Sequence, residues 1–204
     1  LIQDLRLGKI NNMTFKNIFH GKKVLITGNT GFKGSWLSVW LLKLGADVIG
    51  ISKDIPTDPS MFIDLNLSEK IKFYEEDVTN QEKVQEIIAN DQPDFVFHLA
   101  AQAIVSESYT QPYETIKTNV LGTASILESL KFYKKKCTAI IITSDKCYDN
   151  VEWQWGYKET DKLGGKDIYS GSKGAAELVI NSYVQSFFED SNPIKIGVGR
   201  AGNV

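Results

Sequence analysis

From Val24 onward, short runs dense in β-branched and aromatic residues alternate with stretches whose apolar positions recur every three or four residues. The first pattern suits a strand covered on both faces and the second an amphipathic helix, so their alternation predicts a parallel sheet with crossover helices. Strands are expected over residues 23–27, 47–51, 71–74, 94–98, 138–143 and 194–198. Helices are expected over 32–44, 81–89, about 112–133 and about 170–188, with Gly45 ending the first. The fold class that follows is α/β, a doubly wound parallel sheet of Rossmann type.

Residues 1–12 fit no part of this plan. The expected division is an N-terminal extension over 1–20, with Met13 as a candidate natural start, followed by one domain over 21–204. At 204 residues, 42% of them hydrophobic, the chain can bury one substantial core. The last strand runs almost to Val204 with no later helices, so the part that completes a substrate pocket is expected to be largely absent from this chain.

Composition removes several functions. The 23 basic and 25 acidic side chains leave a net charge of -2, which offers no overall field for nucleic acid or an anionic membrane. No apolar run approaches the roughly 20 residues of a membrane span, and a cytoplasmic protein is expected. Cys137 and Cys147 are the only cysteines, and His20 and His98 lie far apart, so neither a disulfide framework nor a metal site is expected.

A phosphate-bearing ligand then needs a local site, and the first strand leads into one. Gly28, Gly31 and Gly34 stand three residues apart where that strand meets its helix, with Thr30 and Phe32 between them. Such glycines allow a tight turn, close approach of a pyrophosphate to the helix N-terminus, and close packing of helix on sheet. The acid that reads a dinucleotide ribose belongs at the end of the second strand, where Asp54 stands beside Lys53, so the choice between NAD and NADP stays open on residues alone. Asp77, followed by Val78, is a candidate adenine contact, with a helix-start acid as the equal alternative.

Tyr169 and Lys173, four residues apart, share a helix face, and a neighbouring ammonium favours a phenolate base. Ser144 ends a strand 25 residues upstream, where its hydroxyl can hold the same substrate oxygen.

Taken with His98, Leu99, Ala100, Ala101 and Gln102 after the fourth strand, and Asn119 in the long helix, these motifs resemble the short-chain dehydrogenase/reductase family, in particular its extended branch acting on nucleotide sugars. The resemblance spans residues 21–204. It implies NAD bound by Gly28, Thr30, Gly31, Phe32, Gly34, Asp54, Asp77, Val78, Leu99, Ala100, Ala101, Asn119, Tyr169 and Lys173. It also implies a homodimer formed through the two long helices. The segments 143–150, 153–157 and 163–167 look most like the 4,6-dehydratases, hydro-lyases that take CDP-glucose, with Lys146 where related dehydratases carry glutamate. Asn29 departs from an expected histidine, and residues 103–107 lack expected arginines.

In such enzymes a hydride passes from the sugar's C4 to NAD, water is lost across C5 and C6, and the hydride returns to C6. The resemblance then implies Tyr169 as acid/base, Ser144 as oxygen holder and Lys173 as ribose holder. Asp145 would be the acid at C6 if kept neutral, and Lys146 the base at C5 if burial lowers its pKa. A 4-epimerase, a dehydratase acting on a dTDP- or GDP-sugar, and a truncated NAD-binding module without activity are the alternatives.

Overall fold

In the computed structural model, which describes residues 14–189 and 191–202, six strands form one parallel sheet. They are β1 (Lys23–Thr27), β2 (Asp47–Ser52), β3 (Lys72–Glu75), β4 (Phe95–His98), β5 (Cys137–Ser144) and β6 (Ile194–Ala201), in the order β3-β2-β1-β4-β5-β6. The order reverses between β1 and β4, and ligands of such sheets bind at the carboxyl ends of the strands beside that reversal. Residues 1–13 of the expected extension lie outside the described residues.

Period-two alternation sorts the apolar side chains onto two faces. Leu25, Ile49, Ile51, Val96, Ala139 and Ile141 share one core with α3 (Gln81–Asp91), α6 (Gly122–Lys131) and α7 (Ile168–Phe187). Val24, Ile26 and Val48 face the other core, under α1 (Phe32–Lys43) and the short α2 (Met61–Asp64). Phe19 joins this second core with its ring 5.0 Å from that of Phe95, and the ring of Phe15 lies 5.5 Å from that of Trp40. Phe15 and Phe19, within the extension expected over 1–20, thus pack against α1 and the sheet.

The helix expected over 112–133 is not one regular helix. After α4 (Val105–Thr110), an element the sequence pattern does not predict, the chain runs through α5 (Pro112–Ile116), a π-turn (Lys117–Leu121) and then α6. A π-turn breaks the regular hydrogen-bond ladder at a cost on the order of 1 kcal/mol. Ile126, Leu127 and Leu130 in α6, all at 0% exposure, outweigh it at about 1.5–3 kcal/mol each.

One polar chain crosses the core just below the sheet's carboxyl edge. The Ala100 amide donates to Thr27 Oγ1, which lies 2.7 Å from His98 Nδ1; His98 Nε2 lies 3.2 Å from Thr123 Oγ1, which donates to the Asn119 carbonyl. Thr123 spends its hydroxyl proton on that carbonyl, so the imidazole proton sits on Nε2 and Thr27 donates to Nδ1. Burial, reinforced by the charge of Lys173, pushes the His98 pKa down to about 3 and keeps the ring neutral.

Because the unfolded chain takes up this proton near pH 6.5 and the folded one only near 3, His98 is expected to cost stability as pH falls through that window. His98→Leu removes this acid slope but leaves the Thr27 hydroxyl proton without its acceptor and Thr123 Oγ1 without its ring donor. We expect it to lose about 2–4 kcal/mol at pH 7 by urea denaturation, and His98→Gln, which keeps a donor and an acceptor, to lose less.

Candidate active site

At the carboxyl end of β1, Gly28 takes φ +71°, and a Cβ on it would lie 2.8 Å from the Ala100 nitrogen. A Cβ on Gly34 would overlap the Gly28 carbonyl, so both glycines serve the fold, one letting β1 and β4 approach and the other seating α1 on the turn. Gly31 is different. Its Cβ would meet only the Gly28 oxygen at 3.5 Å, so the space above it is open. No side chain caps the first turn of α1, which leaves its amides and the dipole's positive end facing that space. Phe32, 62% exposed, stands at the rim.

Asn29 and Thr30 are buried beneath this loop. Thr30 Oγ1 donates to the Asp54 carbonyl (2.7 Å), the Thr30 amide donates to Ser52 Oγ (3.3 Å), and Ser52 Oγ donates to Asn29 Oδ1 (2.9 Å). This clasp ties the glycine turn to the end of β2, where the side chains of Lys53 and Asp54 are exposed. Asn29 occupies the space a side chain at Gly50 would need.

Asp77 is spent on a local turn, accepting the Thr79 amide at 2.8 Å. Partial burial pushes its carboxyl up, but the Thr79 hydrogen bonds outweigh this and hold it below the usual range. Val78 is buried against Gly122. Leu99, Ala100 and Ala101 form the loop beside the glycine turn, pinned by Thr27 at one end and by Asn119 at Gln102. Asn119 Oδ1 accepts the Gln102 amide (2.8 Å), and its Nδ2 donates to the Gln102 carbonyl (3.1 Å) and to Ser172 Oγ (2.8 Å). At 2% exposure its amide holds protein to protein. In the protein alone the side chain expected to meet a dinucleotide is thus engaged with Gln102 and Ser172.

Asp167 caps α7, accepting from both the amide (2.9 Å) and hydroxyl (2.6 Å) of Ser170. Gly165 and Gly174 let the adjoining loops lie directly on the first turns of α7: a side chain at either would run into α7's own backbone or the Gly164 carbonyl. Tyr169 and Lys173 thus stand in those turns, 8% and 6% exposed, with the Lys173 ammonium 5.9 Å from the Tyr169 ring centre. Among the described residues the Lys173 ammonium has no hydrogen-bond acceptor. Desolvation, with repulsion from Lys33, pushes its pKa down to about 8.

Opposite, Ser144 ends β5, donating to Asp145 Oδ1 (3.0 Å) and accepting the Lys146 amide (3.2 Å). Asp145 and Lys146 form an ion pair at 2.8 Å with both side chains nearly half exposed. Partial burial pushes the Asp145 carboxyl up, but hydrogen bonds from Lys146 and Ser144 prevail and hold it below the usual range. The conditions expected from the sequence, a neutral Asp145 and a buried Lys146, are therefore not met in the protein alone. The pair lines a cleft of about 480 Å³ together with Tyr148, Asn150, Tyr157 and Lys166. Cys147 is fully buried, its thiol pushed up to about 11 by burial and by Glu177, and it is inert packing.

Sequence reasoning misses Thr123 and Glu177, whose side-chain partners lie 23 and more residues away in the chain. The only local signal is that both are polar residues on otherwise core-facing helix positions.

Comparison with known proteins decides the family. A family model described as GDP-mannose 4,6 dehydratase matches residues 25–191. The chain belongs to this family. A CDP-glucose 4,6-dehydratase of Salmonella typhimurium is 49% identical to this GDP-mannose 4,6 dehydratase family member over 196 residues, 94% of the chain and 55% of the relative. A CDP-paratose 2-epimerase of Salmonella typhi is 33% identical, over 81% of the chain and 54% of its own length. The UDP-glucose 4-epimerase of Thermus thermophilus, solved in complex with NAD, superposes with a TM-score of 0.73 at 26% identity, covering 87% of the chain and 54% of its own. The chain thus spans about half the length of the relatives it matches.

Two outcomes test the site. Gly31→Val is expected to fold with unchanged melting temperature and Gly34→Ala to destabilise severely, because only the second meets backbone. For Lys173, the folded pKa of about 8 lies below the ordinary 10.5, so the unfolded chain holds more protons between these values and stability rises with pH across that window. Lys173→Met is expected to remove this rise and to stabilise the cofactor-free protein at pH 7 by on the order of 2 kcal/mol in urea denaturation.

Proposed function

We propose that this chain is the cofactor-binding and catalytic part of a cytoplasmic NAD-dependent CDP-glucose 4,6-dehydratase, which yields CDP-4-dehydro-6-deoxyglucose. The observation that carries the reaction class is the buried Lys173 ammonium without an acceptor, one helical turn from Tyr169 and across from the Ser144–Asp145–Lys146 turn. The substrate rests on 49% identity to a protein of that activity along 94% of the chain.

The open space over Gly31, the uncapped α1 and the unpartnered Lys173 suit a dinucleotide: the pyrophosphate on the α1 amides, a ribose hydroxyl on Lys173, and the other ribose beside Asp54. Asn119 supports this site from behind. NAD held there would supply the hydride acceptor for C4 and the hydride donor for C6. Tyr169 removes the 4-hydroxyl proton while Ser144 holds that oxygen and Lys173 favours the phenolate. The resulting 4-ketone makes the C5 hydrogen acidic.

The ion pair then becomes useful. A bound sugar excludes water from Asp145 and Lys146, and low polarity disfavours two charges. Transfer of one proton along their hydrogen bond leaves a neutral amine to take the C5 proton and a carboxylic acid to protonate the departing 6-hydroxyl. The atoms balance within the pair.

The whole enzyme is proposed to be a homodimer through the α5–α6 run and α7, which expose Tyr113, Ile116, Leu121 and Leu178. Sedimentation of a Leu121→Lys/Leu178→Lys variant as a monomer is the expected outcome.

Given CDP-glucose, dTDP-glucose and GDP-mannose in turn, the full-length protein is expected to convert the first, with a mass loss of one water in the product spectrum. Equal turnover of all three, or a 4-epimer product, overturns the reading. Tyr169→Phe is expected to bind NAD and lose about two to four powers of ten in turnover. Asp145→Asn should still reduce bound NAD but stall before water loss, and a 6-fluoro substrate should partly restore product.

A further inference from the structure

Outside the catalytic set, one buried ionic cluster among the described residues joins several segments of the site at once. Arg200, in β6, directs Nε and one terminal nitrogen to the two oxygens of Glu177 at 2.9 and 3.0 Å, and its other terminal nitrogen to the Glu159 carbonyl at 3.1 Å. Its guanidinium lies 4.7 Å from the ring centre of Tyr148. Glu177 also accepts the hydroxyl of Thr143, the residue directly before Ser144 and opposite Arg200 in the strand register. The two charged side chains are 16% and 8% exposed.

We infer that the Arg200–Glu177 pair is the positioning device that holds the Ser144–Lys146 turn and the loop behind it against Tyr169 and Lys173. The inference rests on the proposed dehydratase reading for what the two halves do, and on geometry alone for the fact that they are joined. Glu177 lies one helical turn after Lys173 on α7, so it fixes the helix that carries the acid/base. Thr143 and Tyr148 bracket the turn that carries Ser144, Asp145 and Lys146, and both touch the pair. Glu159 belongs to the loop that returns toward α7. Among these contacts it is the two side chains of the pair together that reach all four segments.

A planar fork is required for this. Arginine has five donors in fixed directions and can bond two carboxylate oxygens and a carbonyl while stacking on a ring; a lysine ammonium in the same place meets Glu177 as a point charge and reaches neither Glu159 nor the ring face. A purely structural ion pair has a different signature. Buried pairs replaced together by apolar groups of similar volume are often no less stable, whereas removing one partner strands a charge.

The test uses the full-length protein with Arg200→Met/Glu177→Leu, Arg200→Lys and wild type, read by hydrogen exchange, denaturation and turnover. The double variant is expected to keep its denaturation midpoint. Amides of 145–160 should exchange at least tenfold faster, while β5 and β6 keep their protection. Turnover of CDP-glucose should fall about 10- to 100-fold, with KM changed less than threefold, the scale expected when reacting groups are displaced by about an ångström. Arg200→Lys should show the same loop-specific exchange. Wild-type exchange over 145–160 in the double variant overturns the inference, as does faster exchange spread evenly over the whole sheet. The exchange arm needs no substrate, so a wild-type protein that fails to convert CDP-glucose sinks the dehydratase reading and leaves this arm to decide the pair.

Discussion

The imidazole of His98 sits out of reach of water between two threonine hydroxyls, and the architecture of the site depends on its staying neutral and in a single tautomer. Its acceptor nitrogen turns Thr27 so that Thr27 Oγ1 receives the Ala100 amide. Its donor nitrogen turns Thr123 toward the Asn119 carbonyl in the π-turn. The amide of Asn119 then holds Gln102 on one side and Ser172 on the other. A chain of hydrogen bonds with one direction therefore runs from the glycine turn's strand to the first turns of α7. A second protonation of the ring would leave Thr27 facing a donor, and the low dielectric that strengthens the satisfied chain would penalise the broken one.

Two electrostatic regimes meet over this frame. Lys173 is buried and its charge is disfavoured by the lack of water, while Asp145 and Lys146, half exposed, keep their charges by pairing. On the proposed reading a dinucleotide would supply the acceptor that Lys173 lacks, and a nucleotide sugar beside Asp145 and Lys146 would remove water from that pair. The protein's own share of the proposed dehydratase cycle would thus be a redistribution of protons that substrate binding makes favourable.

The sheet is legible in the sequence because each strand carries apolar residues on both faces, which few other elements do, and Gly28, Gly31 and Gly34 are legible because their spacing answers to backbone geometry. What escapes is everything that depends on partners far away in the chain. Nothing local distinguishes a helix with a π-turn at Asn119 from a regular one, since the side chains on either side still recur at helical intervals. Asn119 is recognisable as belonging to the site but not as a protein-to-protein link, because its position is visible in sequence and its hydrogen-bond partners are not. The charge state of Asp145 escapes for a related reason: adjacent residues in a chain need not face each other, and only the tight turn after Ser144 brings Lys146 back onto it. For Asp77 the structure adds a bond that the sequence does not announce, one oxygen closing a turn on the Thr79 amide.

The π-turn sets the phase of the whole long helix. One surplus residue puts α5 and α6 out of step by about 100° relative to an unbroken helix, so the stretch before Lys117 and the stretch after Leu121 answer to different neighbours: α6 to the sheet, Asn119 to the loop and α7. Deleting a single residue from that turn would restore a regular ladder and recover its missing hydrogen bond, yet swing Asn119 away from Gln102 and Ser172. Chain length at this one place is thus under a constraint that a regular helical ladder alone would not impose, since the one bond regained in the helix is set against those Asn119 makes to Gln102 and Ser172.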